Sequence, residues 1–128
     1  HEKDGVIQLL CGDFNTRKRE WQYYDAMLSS FDAEDGDLSS KIKLTYDDLN
    51  NDLILSDDEV SQLDYILLRS NNATINYTDR QVKVFTADWH KKGKYKDLSD
   101  HYAVEMFVSP TNNTIAKKEN PSTEEQVD

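Results

Sequence analysis

What the chain lacks narrows its reading before any motif is considered. It has one cysteine, Cys11, so no internal disulfide can staple the fold. That residue sits in the apolar run at residues 6–11 and reads as a small buried hydrophobe. No apolar run approaches the ~18 residues that a bilayer-spanning helix needs. Basic residues are scarce: 15 Lys and Arg stand against 25 Asp and Glu, a net charge of -10. A general nucleic-acid binder draws its affinity from clustered Lys and Arg, so that class is disfavoured, and any phosphate site must be locally basic or metal-assisted. An initiating Met and a signal-like segment are also missing. The chain opens on His1 and is expected to begin inside a longer protein, which leaves its targeting unread.

What is present suits one domain of ordinary size. With 37% hydrophobic and 31% charged residues, the expectation is a globular core carrying long polar loops. Residues 6–15, Val-Ile-Gln-Leu-Leu-Cys-Gly-Asp-Phe-Asn, read as a buried strand that breaks at Gly12 into a polar tip. On an extended backbone Asp13 and Asn15 would point the same way and Phe14 into the fold, with Gly12 permitting close backbone approach. A carboxylate and a carboxamide side by side can bind a metal and a phosphoryl oxygen.

Trp21, Tyr24, Leu28 and Phe31 follow at helical spacing, which predicts a helix over about residues 17–31 packed on a sheet, with Thr16 as N-cap. Residues 32–41 are acidic and small and read as a surface loop; a Ca²⁺ loop would need a terminal ligand that the spacing lacks. A short strand is expected at 42–46 and an acidic loop at 47–58. Residues 63–69 form an apolar strand with one carboxylate, Asp64, near its start, where a charge requires a partner. Strands are also expected at 75–85 and 102–108, the latter after Leu98-Ser99-Asp100-His101.

Residues 86–97 hold Trp89, His90 and Tyr95 among Lys91, Lys92, Lys94 and Lys96, a concentrated basic and aromatic patch in an acidic protein. It reads either as a solvated loop or as a rim meeting an anionic or interfacial surface, formed by Trp89, Lys91, Lys92 and Tyr95. Residues 110–128 lack a core-forming pattern and are expected to be a disordered polar tail to a domain at 1–109. Three Asn-x-Ser/Thr sequons, at Asn72, Asn76 and Asn112, tilt the compartment toward an extracellular or membrane-associated one.

Gly12-Asp13-Phe14-Asn15, Leu63-Asp64-Tyr65-Ile66-Leu67 and Leu98-Ser99-Asp100-His101-Tyr102-Ala103-Val104 together, in this order, resemble the endonuclease/exonuclease/phosphatase family of metal-dependent phosphodiesterases. The resemblance spans about residues 6 to 108. Softer matches at Leu44-Thr45-Tyr46-Asp47 and Asn50-Asn51-Asp52-Leu53 bring it nearest to neutral or secreted bacterial-type sphingomyelinases. Phe14 stands where leucine is commoner and Ala103 where proline often follows. The cysteine-arginine form of the Asp64 motif, usual in inositol-polyphosphate phosphatases, is not present.

This resemblance implies an α/β (α+β) fold: the second half of a four-layer α/β sandwich, deoxyribonuclease-like, with a mixed, mostly antiparallel sheet. It implies a phosphodiester hydrolase, dependent on Mg²⁺ or another divalent cation, that cleaves sphingomyelin to ceramide and phosphocholine at a phospholipid membrane; no obligate protein partner is inferred. The same motifs also admit a nuclease, either apurinic or deoxyribonuclease-like, or an inactive binding module. Asp64 would accept a hydrogen bond from His101, which takes a proton from attacking water or stabilises the phosphoryl centre. Asp13 would orient or deprotonate that water, and Asn15 would hydrogen-bond a phosphoryl oxygen; which residue is the base stays open. Asp100, with Asp13, would contribute to the Mg²⁺ environment directly or through water. The family's principal metal-binding Glu and a second His precede the first motif. None of Glu2, Glu20, Glu34, Glu59 or Glu105 sits in a matching context, so activity is expected of a complete protein.

Overall fold

The computed structural model describes residues 4–55, 58–89 and 93–111. Its elements run β1 (Gln8–Asp13), α1 (Trp21–Phe31), β2 (Tyr46–Asp47), β3 (Val60–Ser61), β4 (Asp64–Arg69), β5 (Ile75–Lys83) and β6 (Ala103–Pro110). Among the described residues the strands form three antiparallel pairs, β1 with β4, β2 with β3 and β5 with β6. The fold is therefore mixed α and β, mostly small antiparallel sheets with one helix.

The register of the first pair decides where the polar residues go. Leu10 lies opposite Leu67 and Gly12 opposite Tyr65, while Leu9 faces Leu68, Cys11 faces Ile66 and Asp13 faces Asp64. Side chains alternate across a strand, so one set faces α1 and the other faces away from it. On the helix side Met27, Tyr65 and Leu67 are buried and are packed by Leu10, Phe14, Tyr24, Leu28, Phe31 and Ala33. The aromatic residues interlock there, Phe14 meeting Phe31 edge-on with ring centroids 5.6 Å apart.

Two expectations are corrected by this pairing. On the face of β1 turned away from α1, Leu9 is exposed and so is Cys11, which is not a buried hydrophobe. A Cβ built on Gly12 would meet nothing within 4 Å, so no close backbone approach explains that glycine.

The helix starts four residues later than its spacing suggests. Thr16 spends its hydroxyl on Phe14 O (2.9 Å) instead of capping, and Glu20 N–H closes a turn on Arg17 O (3.0 Å). That turn is held from outside, because Arg17 Nε and Arg19 Nη2 both reach Glu59, each at 2.8 Å. Glu59 is consequently held at a pKa of about 2, first by the Arg17 hydrogen bond and then by that from Ser61. Trp21 is left exposed at the first position, while Met27 fills the centre of the buried face. At the other end Asp32 adopts the left-handed conformation (φ 48°) and its N–H returns to Ser29 O, ending the helix as a C-terminal cap does.

The acidic stretch at 32–41 is no free surface loop. Glu34 exchanges backbone hydrogen bonds with Leu68 (both 2.8 Å), Ser39 N–H donates to Arg80 O (2.8 Å), and Leu38 is buried with Val82 and Tyr102. It joins the β1–β4 pair to the β5–β6 pair. Arg80, itself buried, adds a second tie by donating from Nε to Ile66 O at 2.8 Å. The expected strand at 42–46 shrinks to Tyr46–Asp47, and β5 stops at Lys83. β6 continues through Pro110, and Thr111 N–H still bonds Thr74 O (2.8 Å), so backbone pairing reaches past residue 109. Residues 112–128, expected to be a tail and including Asn112, lie outside the described residues, as do His90, Lys91 and Lys92.

Candidate functional site

The end of β1, the start of β4 and the turn entering β6 meet at one place. Asp13 and Asp64 face each other across the last rung of the β1–β4 pair, on the side away from α1. Two carboxylates directly opposite on a strand pair repel, which costs stability unless a cation lies between them. The imidazole of His101 is set between them and hydrogen-bonds one of the two. Its Nδ1 lies 2.7 Å from Asp64 Oδ2, and its Nε2 lies 3.9 Å from Asp13 Oδ2. One ligand atom from each of the three residues falls within 4.8 Å of the others.

An ionised carboxylate only accepts hydrogen bonds, so Asp64 fixes the imidazole with its proton on Nδ1 and leaves Nε2 toward Asp13. Partial burial lowers the pKa of His101, but the hydrogen bond and charge of Asp64, with Asp13 and Asp100 adding, outweigh it, and the net shift is upward. Asp64 thus has the partner that its position at a strand start calls for.

Asp13 is oriented by its own backbone. Asn15 does not continue the strand; it sits in the left-handed region (φ 49°), which turns its N–H onto Asp13 Oδ1 at 2.9 Å. The alternation argument therefore fails for Asn15, while Phe14 packs inward as the alternation requires. Asp13 keeps Oδ2 for His101.

The turn carrying His101 is tied down at three points. His101 N–H donates to Ser99 Oγ (3.1 Å), buried Asn51 donates from Nδ2 to Ser99 O (2.8 Å), and Tyr102 N–H donates to Thr45 O (2.7 Å). The Tyr46 ring packs on the imidazole with centroids 5.0 Å apart. Asp100, adjacent in sequence, is exposed and does not join the Asp13–Asp64–His101 group among the described residues.

The aromatic patch forms the arms of a hairpin-like loop. Ala87 N–H bonds Lys96 O (2.8 Å), and Trp89 stacks on Tyr95 with ring centroids 6.1 Å apart and planes 16° apart. Trp89 Nε1 donates to Asp97 O at 2.9 Å, which fixes the half-exposed indole. The loop base is locked by a reciprocal pair: the Asp52 carboxylate accepts from Lys96 N–H and Asp97 N–H, and buried Asp97 Oδ2 accepts from Asp52 N–H (3.0 Å). Those backbone hydrogen bonds, that of Lys96 first, lower the pKa of Asp52. Phe85 and Leu98, both exposed, line an open cleft of about 380 Å³ whose wall includes His101. A larger hollow of about 650 Å³ lies at the other end of β4, beside Asp32, Glu34 and Arg69, and includes none of the three site residues.

Sequence reasoning missed Thr45, Asn51, Asp52 and Asp97 as supports of this site. Thr45, Asn51 and Asp52 stand at the edge of or within an acidic, non-periodic stretch and Asp97 at the end of a lysine-rich one, and no local pattern marks any of them for burial. Comparison with protein-family models, curated proteins and solved structures returns no match to this chain.

Proposed function

We propose that the Asp13–Asp64–His101 group belongs to a phosphodiester-hydrolysing site, and that its substrate is sphingomyelin, cleaved to ceramide and phosphocholine. The observation that carries the reading is the imidazole set between two facing carboxylates. Asp64 holds the tautomer, Nε2 takes a proton from an attacking water or, when protonated, faces the developing phosphoryl charge, and Asp13 orients the water. Asn15 is assigned to a phosphoryl oxygen. The three sequence motifs that carry these residues, and their order, support the same chemistry and the reading of the chain as the second half of a four-layer, deoxyribonuclease-like sandwich.

The donor set fits Mg²⁺ in part. Mg²⁺ prefers oxygen ligands, keeps several waters and uses one or two carboxylates. Asp13 offers such an oxygen and Asp100 a second through water, whereas His101 is committed to Asp64 by a 2.7 Å contact. Bound there, the cation would polarise a phosphoryl oxygen.

The lipid reading over the nuclease one rests on the surroundings. Trp89 and Tyr95 stack within the segment between Phe85 and Leu98, the two exposed apolar residues of the cleft, and the net charge of -10 repels a DNA backbone. Among the described residues no helix is long and apolar enough to cross a membrane. Asn72 and Asn76 are exposed, which suits glycan acceptors in a secretory compartment. The test is an assay of the full-length protein with Mg²⁺ on sphingomyelin vesicles and on plain and abasic DNA. Phosphocholine release without DNA cleavage is expected; DNA cleavage alone would replace the lipid reading with a nuclease, and cleavage of neither would favour a binding module.

A further inference from the structure

Thr45 is fully buried, and each of its hydrogen-bonding groups is used on a segment that carries the site. Its hydroxyl oxygen accepts from Leu63 N–H at 2.9 Å and from Asp64 N–H at 3.1 Å. Its N–H donates to Ser61 O at 3.0 Å, and its carbonyl accepts from Tyr102 N–H at 2.7 Å. One side chain thus meets two consecutive amides at the entry to β4, where Leu63 is buried and water is not at hand to replace it. The same residue's backbone holds the position that follows His101. The next residue, Tyr46, packs its ring against the imidazole at a tilt of 56°.

We infer that Thr45 is a positioning residue of the Asp64–His101 couple: it fixes the backbone on both sides of that hydrogen bond. A hydroxyl is required because it accepts two N–H groups on its lone pairs, and an isosteric Val offers none. The β-branch adds to this by restricting the rotamer that carries the oxygen. Cross-strand pairing does not do the same work, because Leu63 N–H turns to Thr45 while Phe14 N–H donates to Leu63 O. The inference rests on the Asp64–His101 contact and not on the hydrolase reading, so the two can fail separately.

The test compares the unaltered protein with Thr45→Val and Thr45→Ser by the imidazole ¹⁵N shifts of His101, measured where the ring is neutral. The unaltered protein and Thr45→Ser are expected to hold the proton on Nδ1. Folded Thr45→Val is expected to drift toward the mixture of free histidine, with turnover on a phosphodiester down about a hundredfold at unchanged KM. A core variant on the opposite face of β4, Leu67→Ala, should leave the ¹⁵N pattern as it is, which separates positioning from general loosening. If Thr45→Val does not fold, amide exchange of the unaltered protein and the Thr45→Ser spectrum decide. Leu63 and Asp64 amides should be as protected as the Leu67 amide. Unprotected amides, loss of the Nδ1–H form in folded Thr45→Ser, or its retention in folded Thr45→Val would each overturn the assignment.

Discussion

Replacing Asp64 with Asn removes the charge that holds His101 while nearly preserving shape, so it isolates the electrostatic part of the couple. A hydrogen bond between charged partners contributes about 1.5–3 kcal/mol when shielded from water. Here the side chains of His101 and Asp64 are 27% and 21% exposed, and solvent screening brings the expected loss to about 1 kcal/mol. For a chain of this size that lowers the melting temperature by about 4 °C. The loss depends on pH with a definite sign. The folded-state pKa of His101 is raised above the ordinary value of 6.5. Its stabilisation is therefore fully present below that ordinary value and fades as the pH climbs through the folded one. Urea unfolding of both proteins should show the full gap near about pH 5.5 and a smaller one near about pH 9. In parallel, the NMR titration midpoint of His101 should fall in Asp64→Asn. A gap that is flat or wider at alkaline pH, or an unmoved midpoint, would refute the argument that Asp64 charge holds the imidazole.

Glu59 should behave in the opposite sense. Its pKa is depressed to about 2, so its stabilisation is present above the ordinary 4.5 and is lost as pH falls through 2; Glu59→Gln should unfold more easily than the parent near neutrality and equally in strong acid. Leu67 is fully buried against Met27 and Tyr65, and Leu67→Ala should cost about 2–5 kcal/mol by urea unfolding; a loss under about 1 kcal/mol would mean that this is not the core. Trp89→Ala should weaken sedimentation with sphingomyelin vesicles yet spare a soluble phosphodiester substrate, and equal loss on both would reassign the Trp89–Tyr95 stack to structure.

The parts that were legible from sequence are those whose cause is local or motif-bound. The helical stripe from Tyr24 to Phe31 places its residues against the sheet because a 3.6-residue period is enough to define that face. Asp64, a charge at an apolar strand start, called for a partner, and His101 lies within 2.7 Å of it. Other features depend on which strands become neighbours, which no local pattern states. The run containing Cys11 looked buried because alternation cannot tell a strand covered on both faces from one covered on one. The acidic residues at 32–41 looked solvated, yet backbone pairing at Glu34 and the burial of Leu38 are decided by the space between two sheets. Asn15 left the strand because Asp13 captures its N–H, a side-chain contact that competes with extended backbone. Thr45 stands in sequence only within a soft motif match, because its value lies in two amides 18 and 19 residues further on, at the entry to β4.

The imidazole between Asp13 and Asp64 is the group on which the proposed chemistry turns. The most direct measurement is Mg²⁺-dependent phosphocholine release from sphingomyelin by the full-length protein and by His101→Ala, with circular dichroism to verify that both are folded. The expected result is turnover in the parent that falls by about 10²–10⁴-fold in the variant. Near-equal turnover in a folded His101→Ala protein would remove His101 from the reaction and contradict the proposal.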